Sequence, residues 1–214
     1  HFALNHSIVI SLQPLANKST LQSLYIGYNS ELKDLSAIGA LTGLTSFSMT
    51  GSLGIDPILP DLSACTALQA ADLFRYHLPS LAGLQSITSL TLRSWSNIDC
   101  VVLSTLTNLS TLTIEKGVLE NPEALTALSA LHTLALYGTD CRQMERMVFF
   151  ELPSLRYLTL SRTLLFVSPE DAPDNNTLTH LQMDSNNWRL SWENKQDYAP
   201  EDYALVYPKL HALE

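Results

Sequence analysis

Positive charge is scarce in this chain. Its 214 residues include 12 Lys and Arg against 21 Asp and Glu, a formal net charge of −9. Nucleic acids and anionic membranes are held by clustered cations, so a general affinity for either is excluded. Charged residues of both signs make up only 15% of the chain, and its polar residues are largely Ser and Thr. No apolar run approaches the ~20 residues that span a bilayer, which excludes membrane insertion of this segment. No signal-peptide pattern is visible, but the chain opens at His1 rather than Met, so that absence carries no weight.

Cysteine is nearly absent as well. Cys65, Cys100 and Cys141 are odd in number, cannot pair completely, and match no zinc or redox spacing. They read as buried free thiols or small core residues. There is no nucleotide loop, dinucleotide glycine fingerprint, zinc-protease helix pair, nucleophile elbow or Cys-x-x-Cys. The six histidines are scattered. His132 and His211 occupy the same repeat position and read as surface. His180 shares a strand face with Asp184, with Tyr157 beside it, yet no third group converges there. The acidic residues lack the close spacing of a calcium loop. The chain is therefore expected to hold no metal or cofactor and to catalyse nothing. Four Asn-x-Ser/Thr triplets begin at Asn5, Asn17, Asn108 and Asn175. So Ser/Thr-rich a chain yields two or three by chance, which leaves the compartment open, with a lean toward the cell surface or secretion.

What the chain has is a repeat. The pattern L-x-x-L-x-L, other apolar residues allowed, fits Leu21-Leu24-Ile26, Leu44-Phe47-Met49, Ile87-Leu90-Leu92 and Leu109-Leu112-Ile114. It returns at Leu131-Leu134-Leu136, Leu155-Leu158-Leu160 and Leu178-Leu181-Met183, with a degenerate copy at Leu68-Ala71-Leu73. The steps between copies are 23, 24, 19, 22, 22, 24 and 23 residues. Alternation within each copy has a period of two and predicts a short strand with one buried face. Before each strand, apolar residues recur every third position, as in Leu35, Ile38, Leu41, Leu44 and Leu103, Leu106, Leu109. That spacing suits a 3₁₀-like return, in which residues i and i+3 eclipse; an amphipathic helix would mix steps of three and four. Each strand plus return is too small to bury its own leucines, so neighbours must stack into one continuous core. Returns are bulkier than strands, so the stack should bend with its strands inside.

These residues resemble the leucine-rich repeat family over nearly the whole chain. Leu103-Ser-Thr-Leu-Thr-Asn-Leu-Ser-Thr-Leu-Thr-Ile114 is similar to the internalin-like subclass, whose repeats are ~22 residues long. The resemblance implies an α/β solenoid: a right-handed superhelix with a parallel concave sheet and 3₁₀, irregular or short helical convex segments. The chain departs from the subclass in one respect. The Asn expected three residues after the last strand leucine stands at Asn29 and Asn186, but Tyr76, Trp95, Gly117 and Thr139 replace it elsewhere. The side-chain ladder that satisfies the turn backbone is therefore expected to be partial.

A single domain over 1–214 is expected, with about eight full repeats and partial ones at both ends. Phe2-x-Leu4 falls where a preceding strand should lie, and Tyr207-Pro-Lys-Leu-His-Ala-Leu213 begins another. Between them, an aromatic insert at 188–207 carries Trp188, Trp192, Tyr198, Tyr203 and Tyr207, with a short helix expected after Pro200. The chain reads as a segment of a longer array, or else the insert is its cap.

Strand residues that alternate away from the core are mostly small hydroxyls, which leave a flat surface. The last outward column differs: Phe74, Arg93, Glu115 and Tyr137 fall on four consecutive strands. Just beyond it lie Arg75, Tyr76, Trp95, Lys116 and Arg162. Aromatics and arginines dominate binding hot spots, and an exposed group of this size marks an interaction surface. The structural alternative has Trp95 and Tyr76 folding over the turn in place of the missing Asn. The expected function is protein binding through the concave face, in a microbial surface or secreted recognition protein. The alternative is a substrate-targeting or regulatory segment of a larger enzyme, such as a ligase or phosphatase complex. Carbohydrate or lipid recognition is weaker, since a face of small hydroxyls offers no deep pocket.

Overall fold

The computed structural model describes residues 1–51, 61–74, 81, 83–93, 97–144, 148–165, 177–184 and 187–188. Nine strands form the main ladder: β1 (Phe2–Asn5), β2 (Ser23–Gly27), β3 (Ser46–Thr50), β4 (Ala70–Phe74), β5 (Ser89–Arg93), β7 (Thr111–Glu120), β8 (Thr133–Asp140), β9 (Tyr157–Ser161) and β11 (His180–Asp184). All pair in parallel with their sequence neighbours, and each copy of the repeat contributes one. The fold is an open α/β solenoid. Phe2-x-Leu4 forms the preceding strand expected of it, with Phe2 opposite Leu24 and Leu4 opposite Ile26.

The leucine rows point inward, as the period of two requires. In-register neighbours Leu24, Phe47, Ala71, Leu90, Leu112, Leu134, Leu158 and Leu181 are all buried, and so is the row from Ile26 to Leu160. The degenerate copy is compensated by its neighbour. Ala71 lies opposite Phe47, one of the largest fully buried side chains. A large residue beside a small one keeps the layer filled.

The spacing of three has a direct backbone cause. Ile38 N–H donates to Leu35 O, Leu41 N–H to Ile38 O and Leu44 N–H to Leu41 O, each at 3.0 Å. The same i-to-i+3 bonds join Leu62, Cys65 and Leu68, then Leu103, Leu106 and Leu109, then Leu125, Leu128 and Leu131. Apolar side chains thus sit at every corner of a chain of tight turns, all facing the core. Formal 3₁₀ helices occur at Gln13–Leu15, Ser36–Ala40, Pro122–Ala127 and Val148–Glu151, with one four-residue α-helix, α1 (Cys100–Leu103).

Beyond the first turn the chain becomes extended again. The end of β7 pairs with β6 (Asn97–Asp99), while the end of β8 pairs with β10 (Leu164–Leu165), which pairs with β12 (Asn187–Trp188). Of the 188–207 insert, only the Trp188 backbone is described; the expected helix after Pro200 and the strand at 207–213 lie outside the described residues. The three cysteines are buried and unpaired. Desolvation pushes Cys100 up to about 12 and raises Cys141 further, so both stay protonated and inert at neutral pH.

Asp34 ties the first two repeats together. Its carboxylate accepts from Ser11 Oγ (2.6 Å) and from both Ser36 Oγ (2.6 Å) and Ser36 N–H (3.0 Å). These bonds, that from Ser11 foremost, lower its pKa from 3.8 to about 2. A carboxyl depressed in the folded state contributes stability that is complete above its unfolded pKa and is lost as pH falls through the folded one. Thermal unfolding should therefore show stability declining between pH ~4 and ~2, and Asp34→Asn should flatten that decline. In the core, Leu112→Ala should cost about 2–5 kcal/mol by denaturant unfolding, whereas Leu4→Ala at the partly buried end row should cost clearly less.

Candidate interaction face

The last outward column of the sheet is continuous. Strand register places Phe74 beside Arg93, Arg93 beside Glu115, Glu115 beside Tyr137, and Tyr137 beside Ser161. Phe74, Arg93 and Glu115 are half-buried; Tyr137, Lys116 and Arg162 are exposed. Arg75, Tyr76 and Trp95 lie outside the described residues, as does the alternative that the two aromatics fold over the turn.

Arg93 is held from both sides. Its Nε donates to Asp72 Oδ1 at 3.0 Å and its Nη1 to Glu115 Oε1 at 2.5 Å. Asp72 sits one outward position earlier on β4, and Glu115 lies directly across on β7. The bond to Asp72 raises the Arg93 pKa, against a smaller opposing effect of desolvation. All three side chains are about one-third exposed (35%, 28% and 34%), so solvent screening keeps the stabilisation small. What the arrangement provides is order: Asp72, Arg93 and Glu115 are held together across three strands. Asp72 belongs to this cluster, although the aromatic and arginine signal in the sequence did not single it out. The detectable signal was its outward phase, on the strand next to Arg93.

Two strands further on, Tyr157 stacks against His180 with ring centroids 4.5 Å apart and an interplanar angle of 20°. Register puts the two directly opposite, as their common strand position predicts. At the other end, His6 stacks on Tyr28 at 4.9 Å and 2°.

A second row runs along the edge of this face, and its backbone explains its composition. Two residues after the second inward leucine position (Leu4, Ile26, Met49, Ile114, Leu136 and Leu160), the backbone enters the left-handed region: His6 (φ 46°), Tyr28 (45°), Gly51 (80°), Lys116 (60°), Gly138 (61°) and Arg162 (53°). The turn must leave the strand sharply at the same point in each repeat, and only this conformation does so. Glycine adopts it without steric cost, whereas other L-residues carry a penalty of roughly 1–2 kcal/mol. Two of the predicted contact residues, Lys116 and Arg162, therefore stand where the backbone favours glycine.

The next position is that of the expected Asn. Asn29 is fully buried; its amide donates to Gly27 O (2.6 Å) and Leu4 O (3.3 Å), and it accepts from Ser7 N–H (3.0 Å). Thr139 and Thr163, equally buried, donate to Ile114 O (3.3 Å) and Leu136 O (3.2 Å). Leu4, Ile114 and Leu136 are equivalent positions, each in the repeat that precedes its donor. The threonine hydroxyl thus reproduces the donor half of the asparagine ladder.

Among the described residues, no three His, Cys, Asp or Glu side chains converge as metal ligands, and no helix is long and apolar enough to cross a membrane. This combination of a parallel strand ladder, turn-of-three returns and an asparagine or threonine ladder defines the leucine-rich-repeat fold. Solved structures agree. An internalin from Listeria monocytogenes matches with a TM-score of 0.74 and 23% identity, over 99% of this chain and 59% of that one. A leucine-rich-repeat protein from Leptospira interrogans matches with a TM-score of 0.64 and 19% identity, over 100% of this chain and 59% of that one. The leucine-rich-repeat domain of a type III effector gives 0.66 and 19%, over 89% of this chain and 70% of its own. The chain thus spans about three fifths of the first two proteins. No family model and no curated protein matches the sequence.

Two substitutions test the turn geometry. Gly138→Ala should cost about 1 kcal/mol through backbone strain alone, because the added methyl would meet only Lys116 Cγ at an ordinary 3.6 Å. Thr139→Val, which keeps the volume and removes the hydroxyl, should cost about 1–3 kcal/mol by leaving the buried Ile114 carbonyl short of a donor. Denaturant titration reads both.

Proposed function

We propose that this chain, as one domain, is a non-catalytic protein-interaction module that meets its partner with the open face of the sheet, centred on Phe74, Arg93, Glu115 and Tyr137. The observation that carries this reading is the Asp72–Arg93–Glu115 bridge flanked by Phe74 and Tyr137. Ordered charged side chains between two aromatics lose little freedom on association, and so suit a binding surface. The surrounding Ser and Thr columns offer short hydroxyls that allow close approach without forming a pocket. Lys116 and Arg162 extend this surface along its edge in this proposal, and Arg75, Tyr76 and Trp95, outside the described residues, are assigned to it by their sequence positions alone. The likeness of fold to an internalin and to the leucine-rich-repeat domain of a type III effector supports the same reading. It accords with a surface or secreted recognition protein; a substrate-targeting or regulatory segment of a larger enzyme is the second reading, and one similar structure is likewise a leucine-rich-repeat domain within an effector.

Affinity capture with the purified chain tests it. Phe74→Ala and Tyr137→Ala should each weaken partner retention by about 2 kcal/mol, roughly thirtyfold. Thr126→Ala, on a 3₁₀ return, should leave retention unchanged. Retention that ignores both aromatic substitutions retires this face.

A further inference from the structure

We infer that the open face carries a second, uncharged contact, a notch at Ala135 between the rings of Tyr137 and Tyr157. It takes one branched aliphatic side chain, a leucine or isoleucine, of the protein partner. The inference rests on the binding-face reading above and names the partner chemistry that this part of the face selects.

The second outward position of successive strands carries a row of threonines, Thr91 on β5, Thr113 on β7 and Thr159 on β9. Ala135 on β8 interrupts it, opposite Thr113 on one side and Thr159 on the other. Its phase is outward, between the inward Leu134 and Leu136, and it takes no part in the core cluster. It is nonetheless only 7% exposed, so its methyl lies below the level of the taller side chains around it. Alanine is depleted in strands and threonine enriched. The alanine therefore gains neither strand propensity nor core packing. What it leaves is a gap the size of the methyl and hydroxyl that a threonine would supply.

Aromatic rings stand at both ends of the gap. Tyr137, one outward position further along β8, is 41% exposed, and Tyr157, one position back on β9, is 46% exposed. Among the described residues, they are the only exposed large hydrophobics in the outward columns. Four residues of rise and one strand spacing separate their Cβ atoms by about 14 Å, which leaves room for one side chain between the rings. The Tyr157 ring is stacked on His180 at 4.5 Å, and His180 Nδ1 is hydrogen-bonded to Thr179 Oγ1 at 2.9 Å. This wall is set in advance, so closing on it costs little ordering. None of the outward positions Thr133, Ala135, Tyr137, Tyr157, Thr159 and Ser161 is charged, and Glu115, across from Tyr137, is committed to Arg93. A charged group seated here would shed water without meeting a counter-ion, whereas an aliphatic one gains contacts with rings and methyls. The gap is one residue wide, which suits the forked end of leucine or isoleucine; a flat ring would ride on the threonines at either side.

The probes are three short capped peptides, otherwise uncharged and identical, with a central leucine, alanine or aspartate. Fluorescence anisotropy measures affinity, and NMR of labelled alanine methyls locates the contact. The leucine peptide should bind about fivefold more tightly than the alanine peptide, as partial burial of a leucine side chain predicts. It should also shift the Ala135 methyl signal, and the aspartate peptide should bind no better than the alanine one. Ala135→Thr completes the row and should abolish the preference while its melting temperature holds or rises, because threonine is the better strand former. Ala135→Gly keeps the gap and should retain the preference despite lower stability, so lost binding is told apart from lost folding. Ser48→Thr, in the same row on β3, should leave the preference intact. Equal affinity for the leucine and alanine peptides, a preference that survives Ala135→Thr, or tightest binding of the aspartate peptide would each overturn the inference. If the preference is missing while Phe74→Ala still weakens partner capture, the notch inference fails and the binding-face reading stands.

Discussion

Each unit of about 22 residues leaves both flanks of its leucine rows and both edges of its strand unsatisfied, and only the adjoining units supply what is missing. This mutual completion shapes the rest of the molecule. It sets the parallel pairing, because every strand must enter from the same side after an equivalent return. It also concentrates demand at one place, the turn after the strand, where every repeat must leave the sheet at the same height. At each described turn the backbone adopts the left-handed conformation, and after Tyr28, Gly138 and Arg162 the next residue, Asn29, Thr139 or Thr163, is buried and reaches back to the preceding repeat.

A second ladder runs along the other end of the strands. The backbone N–H groups of Thr45 and Ser46 share Gln22 O, those of Ser110 and Thr111 share Thr88 O, and those of Thr179 and His180 share Arg156 O. Thr45, Ser110 and Thr179 add their own hydroxyls to the same carbonyls. Part of the Ser and Thr wealth of the sequence is thus explained. Hydroxyls add a third donor to carbonyls that already accept two N–H groups, and others tile the open face without bulk. With both strand ends clamped, the outward columns form a stiff platform, and a side chain on it is positioned by register rather than by its own rotamer alone.

On that platform chemical variety is confined. Most outward positions are small, whereas aromatic and charged groups gather in the last column and the turn row, joined by Tyr25, Asp72, Tyr157 and His180. The Asp72–Arg93–Glu115 bridge crosses three strands, and Lys116 and Arg162 straddle a fourth. Such an arrangement separates duties. Inward leucines and turn hydrogen bonds carry stability, leaving the outward column open to variation at little cost to the fold.

Periodicity alone was enough for the strands, their buried faces and the tight returns, because a two-residue alternation and a three-residue spacing each admit one backbone geometry that buries every leucine. The column Phe74–Arg93–Glu115–Tyr137 was legible for the same reason: equal phase in adjacent repeats means adjacency in space. Three features were not legible. Arg93 is drawn between Asp72 and Glu115, and this depends on side-chain reach across strands rather than on phase. Thr139 and Thr163, which read as gaps in an asparagine ladder, preserve its donor half, since a hydroxyl at the right height reaches the same carbonyl. The left-handed row, hinted at only by Gly51 and Gly138, also passes through Tyr28, Lys116 and Arg162, where residue type conceals the conformation. Local pattern determines which face a residue occupies; what it touches there is decided when neighbouring repeats close to within one strand spacing and distant side chains compete for the same partners.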